Sequence, residues 1–175
     1  MQTDSEVAVT RFGSGGGFSN IYPVPYYYSK AVNGYLINLK PPYTSYSATY
    51  DQGISAGGGI YNRNGRGYPD VGAVGDNLVI FNRGMPVLIG GASASAPVWA
   101  SLTNRINEER LAAGKSAVGL VNPALYTNPG VMDDITTGNN PGCNLNRFSA
   151  STGWDPVTGL GNPNYPALLT LFMSL

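Results

Sequence analysis

Gly90-Gly91-Ala92-Ser93-Ala94-Ser95-Ala96-Pro97 is the stretch on which the architecture turns. The apolar Val87-Leu88-Ile89 precedes it, and beyond it Val98 or Trp99, then Leu102 and Ile106, recur at three- and four-residue steps. That change of period predicts a strand, a tight turn and a helix that begins on a serine and buries one face. Paired glycines let the backbone reach φ values closed to other residues. Pro97 suits a first helical turn, where an N–H would lack a partner anyway. A serine placed there sits at the positive end of a helix dipole, among N–H groups able to stabilise an anion. Ser93 or Ser95 is therefore a candidate nucleophile, although a serine that only caps the helix reads the same way.

Upstream, Leu78-Val79-Ile80-Phe81 and Val87-Leu88-Ile89 flank Asn82-Arg83-Gly84-Met85-Pro86, a hairpin or two sheet strands joined by a turn. Downstream the helix should reach Ala112 or Ala113, with Gly114 as its stop, so the strand-turn-helix unit spans about 78–113. Glu108-Glu109-Arg110 is assigned to its solvated outer face.

Composition narrows the chemistry. The 175 residues are 42% hydrophobic, fit one domain or less, and carry ten acidic and ten basic side chains. That balance invites neither nucleic acid nor an anionic membrane. No run of about 18 apolar residues is present. With 24 Gly, 13 Pro and 12 Tyr the chain is loop-rich. Met1-Gln2-Thr3-Asp4-Ser5-Glu6 has neither the basic nor the apolar region of a secretion signal, so secretion is not legible in the chain itself. Cys143 is the single cysteine, which rules out an internal disulfide and a thiolate-rich metal cluster. Histidine is absent, which removes the Ser-His-Asp triad, Cys-His dyads and histidine-ligated zinc. A serine nucleophile here needs another base, and a carboxylate serving as both acid and base works at acidic pH or with a raised pKa.

Taken in order, Glu6-Val7-Ala8-Val9 alternates like a short strand and leads into a glycine loop, Phe12 to Asn20, that lacks the Gly-Lys-Ser/Thr of a phosphate loop. Tyr22-Pro23-Val24-Pro25 introduces a helix over Tyr26 to Ile37, its aromatics assigned to packing. Lys40 to Gly67 is turn-dense, with one short helix at most. Asp70 is given a structural role, bonding local backbone N–H groups. Asn122-Pro123-Ala124-Leu125-Tyr126 suggests a short helix. Asp134 and Asp155 lie on separate glycine-rich turns, an arrangement open to an oxygen-ligated cation such as calcium and equally to acidic turns facing solvent.

Several stretches resemble one family. Gly91-Ala92-Ser93-Ala94-Ser95-Ala96-Pro97 is similar to the Gly-Thr-Ser-x-x-x-Pro signature of the sedolisins, serine-carboxyl peptidases of subtilisin-like fold that include the tripeptidyl peptidases. Ser14-Gly15-Gly16-Gly17-Phe18-Ser19, Gly65 to Val74, and Asp134-Ile135-Thr136 with Gly153-Trp154-Asp155-Pro156-Val157-Thr158-Gly159-Leu160-Gly161 resemble the same family in the same order. The resemblance implies an α/β fold, a subtilisin-like three-layer sandwich around a mostly parallel sheet, of which residues 1–175 are the C-terminal portion. It implies Ser93 as nucleophile, with Ala92 where threonine is usual. It implies a calcium module over about 131–163, one ion held by the carboxylates of Asp134 and Asp155 and the carbonyls of Ile135, Ser151 and Gly153, with water completing the shell. Peptides or denatured proteins are the implied substrates, in an extracellular or acidic lysosome- or vacuole-like compartment.

The resemblance also implies a glutamate base oriented by an aspartate four residues later, and a further oxyanion aspartate. Glu6, Glu108 and Glu109 are the glutamates present, and none is followed by aspartate at that spacing. These groups would come from the missing N-terminal half of the catalytic domain, and the chain alone is expected to be an inactive peptidase with an uncovered apolar face. The competing reading is a calcium-stabilised remnant that binds peptides or proteins without cleaving them. A carbohydrate-binding module is a third, with no flat aromatic platform to support it.

Overall fold

The computed structural model of the chain describes residues 6–48, 52–142 and 145–175. Cys143 falls outside them. Helices and short strands alternate: β1 (Gly17–Pro23), α1 (Ser29–Asn38), β2 (Ser45–Tyr46), β3 (Tyr61–Asn62), β4 (Gly65–Tyr68), β5 (Leu78–Asn82), β6 (Met85–Ile89), α2 (Ala92–Ala112), α3 (Asn122–Thr127), β7 (Met132–Asp133), β8 (Asn139–Gly142), β9 (Leu145–Ser149), β10 (Asn162–Pro163) and α4 (Tyr165–Ser174).

The core is aromatic. Phe18 of β1 packs edge-on to Phe148 and Trp154, and Tyr35 of α1 meets the other side of the Trp154 indole. Gly67 supplies the space for that ring, since a Cβ there would collide with its six-membered edge. Val32 and Tyr35 on α1, and Leu168 and Phe172 on α4, are the buried pairs at helical spacing. The helix expected over Tyr26 to Ile37 forms as a 3-10 turn, Tyr26–Tyr28, running into α1. Tyr28 is buried and stacks on Tyr126 while Tyr26 is exposed, so these aromatics pack as expected.

Corrections to the sequence reading concern pairing and burial. The mostly parallel sheet does not form within the described residues: they hold five two-stranded pairings, of which only β2 with β3 is parallel. Local connections explain this. β5 and β6 are joined by Arg83-Gly84, both at positive φ, a two-residue turn that returns the chain antiparallel, whereas parallel neighbours need long crossovers. Glu6-Val7-Ala8-Val9 is no strand, because Ala8 N–H to the Thr137 carbonyl is its single backbone hydrogen bond to other described residues. Strands β2 to β4 appear where loops were expected. They are organised by Asn62, buried, whose amide donates to the Ser19 and Ala48 carbonyls and whose oxygen accepts from Ala48 and Asn64 N–H. Arg110 is buried, not on the solvated face of α2, and donates to the Ser116 and Phe172 carbonyls, tying α2 to α4.

The hairpin carries an unusual surface. Pairing of Ile80 with Val87 and Val79 with Leu88 puts apolar side chains on both of its faces. One face is half-covered, with Ile80 39%, Val87 40% and Ile89 37% exposed; the other is bare, with Val79 62%, Leu88 63% and Phe81 76% exposed. An antiparallel strand that faces water on one side normally alternates apolar with polar residues, and these do not.

A buried mismatch lies where the first described residues meet β10. Asn162 Nδ2 donates to Glu6 Oε1, leaving Glu6 Oε2 and Asn162 Oδ1 buried without a partner among the described residues. Such groups typically cost about 1–3 kcal/mol each. Glu6→Gln replaces one carboxylate oxygen by an N–H donor and keeps an oxygen to accept from Asn162 Nδ2. It is expected to raise the midpoint of thermal unfolding at neutral pH by about 2–4 °C, the shift produced by about 1 kcal/mol in a domain of this size.

Candidate active site

Site geometry begins where β6 ends. Gly91 has φ +145, and Gly90 lies so close to the Arg11–Asp76 ion pair that a Cβ would strike both side chains. The Gly91 N–H is anchored to the Gly75 carbonyl at 2.7 Å, and the Ala94 N–H closes the first helical turn on the Gly91 carbonyl at 2.9 Å. The strand-turn-helix expected around residue 90 is thus present, and α2 ends at Ala112 with Gly114 at φ +72 behind it.

Ser93 is the second residue of α2, exposed, and its hydroxyl makes no hydrogen bond among the described residues. Ser95 differs. Its hydroxyl donates to the Ala73 carbonyl at 3.1 Å and approaches that of Val74 at 3.4 Å. Neither serine caps the helix through its side chain, because the N-cap position belongs to Gly91. Pro97 falls in the second turn of α2 rather than the first, since the helix starts at Ala92. Lacking an N–H, it leaves the Ser93 carbonyl without the usual i+4 donor.

Beside this turn lies a cavity of about 600 Å³ lined by Val71, Val74, Ala92, Ser95, Ala96 and Trp99 among others; Ser93 is not part of its wall. The Trp99 indole N–H donates to the Gly72 carbonyl at 2.6 Å. Asp70, expected to bond local backbone N–H groups, instead accepts from side chains: Arg66 at 2.5 Å and the Tyr126 hydroxyl at 3.0 Å. Burial and the Asp70 carboxylate together push the Tyr126 hydroxyl pKa up, so this phenol keeps its proton.

A hydrogen bond joins the two segments that carry the residues implied for a cation. Asp134 accepts the Gly153 N–H at 2.7 Å, and Asp155, fully buried, accepts the N–H groups of Ser151, Val157 and Thr158, each at 2.9 Å. Gly153 stands at φ +81. The carbonyls of Ile135, Ser151 and Gly153 accept no hydrogen bond among the described residues, and neither carboxylate is in an ion pair there. Burial pushes the Asp155 carboxyl up to about 6 despite the backbone bonds that favour its charge. The two carboxylates and three uncommitted carbonyls are all hard oxygen donors, the type that calcium takes. The partnership of Ser95 and Trp99 with residues 72–74 is not legible in the sequence, because a loop's carbonyls leave no periodic signal.

Comparison with known proteins puts this geometry in context. No family model matches the chain. It is 63% identical to the tripeptidyl-peptidase sed1 of Aspergillus fumigatus over 172 residues, 98% of this chain and 27% of that protein. It is 54% identical to aorsin of Aspergillus oryzae, over 94% of this chain and 25% of that one. Identity to tripeptidyl-peptidase 1 of Bos taurus is 39%, over 95% and 28%. This chain is homologous to part of the sedolisin peptidases. Pseudomonas sedolisin, a serine-carboxyl proteinase solved with pseudo-iodotyrostatin, superposes with a TM-score of 0.64 at 21% identity, over 98% of this chain and 42% of that one, which shows a shared α/β fold. The chain spans about a quarter of the length of these sedolisin relatives.

Asp155 holds its turn through the N–H groups of Ser151, Val157 and Thr158. Asp155→Asn would set an amide N–H against backbone N–H donors on one side or the other. In the presence of chelator it is expected to destabilise the chain by about 2–4 kcal/mol. Asp134→Asn, whose amide oxygen can still accept the exposed Gly153 N–H, should cost under about 1 kcal/mol by urea unfolding.

Proposed function

We propose that this chain carries the nucleophile of a serine-carboxyl peptidase, and that the carboxylates it lacks come from the remainder of the same catalytic domain. One observation carries the reading: in a chain 63% identical to a tripeptidyl-peptidase, Ser93 presents an uncommitted hydroxyl at the start of α2, while the neighbouring Ser95 hydroxyl is already spent on a carbonyl.

In this reading Ser93 Oγ attacks the carbonyl carbon of a peptide or denatured protein, and its proton passes to a carboxylate base from the rest of the domain. The C–N bond then breaks, the same proton goes to the leaving amine, and an ester on Oγ remains until water hydrolyses it. The free N–H groups at the start of α2 add positive potential where the negative oxygen develops. A carboxyl acid–base pair with no histidine in the chain suits an acidic extracellular or lysosome- or vacuole-like compartment.

Asp134 and Asp155, with the carbonyls of Ile135, Ser151 and Gly153, would hold one calcium ion. Calcium, when bound, would order the 134–135 and 151–155 backbone and neutralise the buried Asp155. The two-sided apolar hairpin supports a three-layer sandwich: its bare face fits the interior of a sheet covered on both sides, with the missing N-terminal half of the domain as the cover.

Two experiments separate these statements. In a chimera, this chain replaces the homologous segment of the Aspergillus fumigatus relative. The chimera is expected to label at Ser93 with a fluorophosphonate and to cleave peptides at acidic pH, and Ser93→Ala should lower kcat at least about 10³-fold. A folded chimera with neither property would favour the non-catalytic binding reading instead. Calorimetric titration of the chain with calcium should give one site, abolished by Asp134→Ala; no heat in the parent would refute the metal assignment.

A further inference from the structure

The two serines of the Gly90–Pro97 stretch point opposite ways, because residues two apart on a helix differ by about 200° around its axis. Ser93 faces solvent and Ser95 faces residues 73–74. Trp99, one turn beyond Ser95, shares its face and reaches the Gly72 carbonyl. With the Gly91 N–H on the Gly75 carbonyl, α2 and the segment 72–75 are joined at successive points in opposite directions: 91 to 75, 95 to 73–74, 99 to 72. The fit is close, since a Cβ on Gly75 would come within 2.9 Å of Ser95 Oγ. The segment is fixed from its far side as well. Trp154 donates to the Pro69 carbonyl, Leu160 N–H to that of Asp70, and Gly72 N–H to that of Gly161.

We infer that Ser95 and Trp99 are positioning residues for Ser93, stapling the first two turns of α2 to the rigid 72–75 segment so that the Ser93 hydroxyl is held in one place. The inference rests on the nucleophile reading of Ser93. The staple matters there because Pro97 deprives the first turn of one of its own hydrogen bonds and the turn preceding it consists of two glycines. Without an outside anchor the nucleophile would sit on the least constrained part of the helix. Misplacing a reacting group by about 1 Å can lower a rate by about 100-fold.

The test has two arms. In the 175-residue chain, Ser95→Ala is expected to speed amide exchange at Gly91 and Ala94, whose N–H groups are bonded to the Gly75 and Gly91 carbonyls, at least tenfold while exchange at Ile106 and Leu168 stays unchanged. In the chimera described above, Ser95→Ala should lower kcat about tenfold with KM within about twofold of the parent, and Ser95→Thr, which keeps the hydroxyl, should recover at least half of the loss. Trp99→Phe should act in the same direction as Ser95→Ala. Unchanged exchange at Gly91 and Ala94 would overturn the staple. Faster exchange with unchanged kcat, or a kcat loss that Ser95→Thr does not relieve, would overturn positioning. A parent chimera that never labels at Ser93 would instead remove the nucleophile reading, and the positioning role with it, while the exchange arm still decides whether the staple exists.

Discussion

Between Pro69 and Gly75 every carbonyl except that of Val71 accepts a hydrogen bond, and the donors come from distant parts of the chain: two indoles, a serine hydroxyl and the backbone of Gly91 and Leu160. No strand ladder satisfies this segment, so its carbonyls depend on side-chain and backbone donors delivered by other elements. The rest of the structure is arranged around meeting that demand. The turn bearing Asp155 lies against one flank, and the helix bearing Ser93 against the other. Gly159 and Gly161 bring their backbones close because a Cβ at either would collide with the main chain of residues 70–71 or 133–134.

What the sequence disclosed follows from the range of the signals. Arg83-Gly84 with apolar flanks announces the β5–β6 hairpin, and Gly114 announces the end of α2, because turn chemistry and capping act over a few residues. The two-residue strands β2 and β3 leave no pattern of their own; the Asn62 amide holds them, and nothing in a single asparagine foretells it. Arg110 reads as a surface charge since its acceptors, the carbonyls of Ser116 and Phe172, are backbone atoms that any residue could offer. The parallel sheet was expected from resemblance, and a resemblance describes a whole domain while the chain holds a portion of it.

The candidate site divides in the same way. Ser93, Asp134 and Asp155 are singled out by the resemblance of their stretches to one family, since composition alone leaves a helix cap and acidic surface turns open, and in the structure both carboxylates accept N–H groups of residues 151–158. The choice between Ser93 and Ser95 was not a matter of composition, since the octapeptide presents both alike. Helical phase separates them: one hydroxyl meets carbonyls and the other meets water. Pro97 was misplaced by a turn because the helix begins on Ala92, whose lack of a capping side chain gave no sign of a start.

The chain has two tryptophans, and each gives its indole N–H to the same short segment, Trp99 at Gly72 and Trp154 at Pro69. Intrinsic emission from this molecule is therefore a local gauge rather than an average over the fold. Trp154 is buried and Trp99 half-buried, so they differ in spectral position. Anything that loosens the segment from the Ser93 side shifts the redder component first, and anything that disturbs the Asp155 side shifts the bluer one, which lets a spectrometer tell from which flank the strip is being pulled.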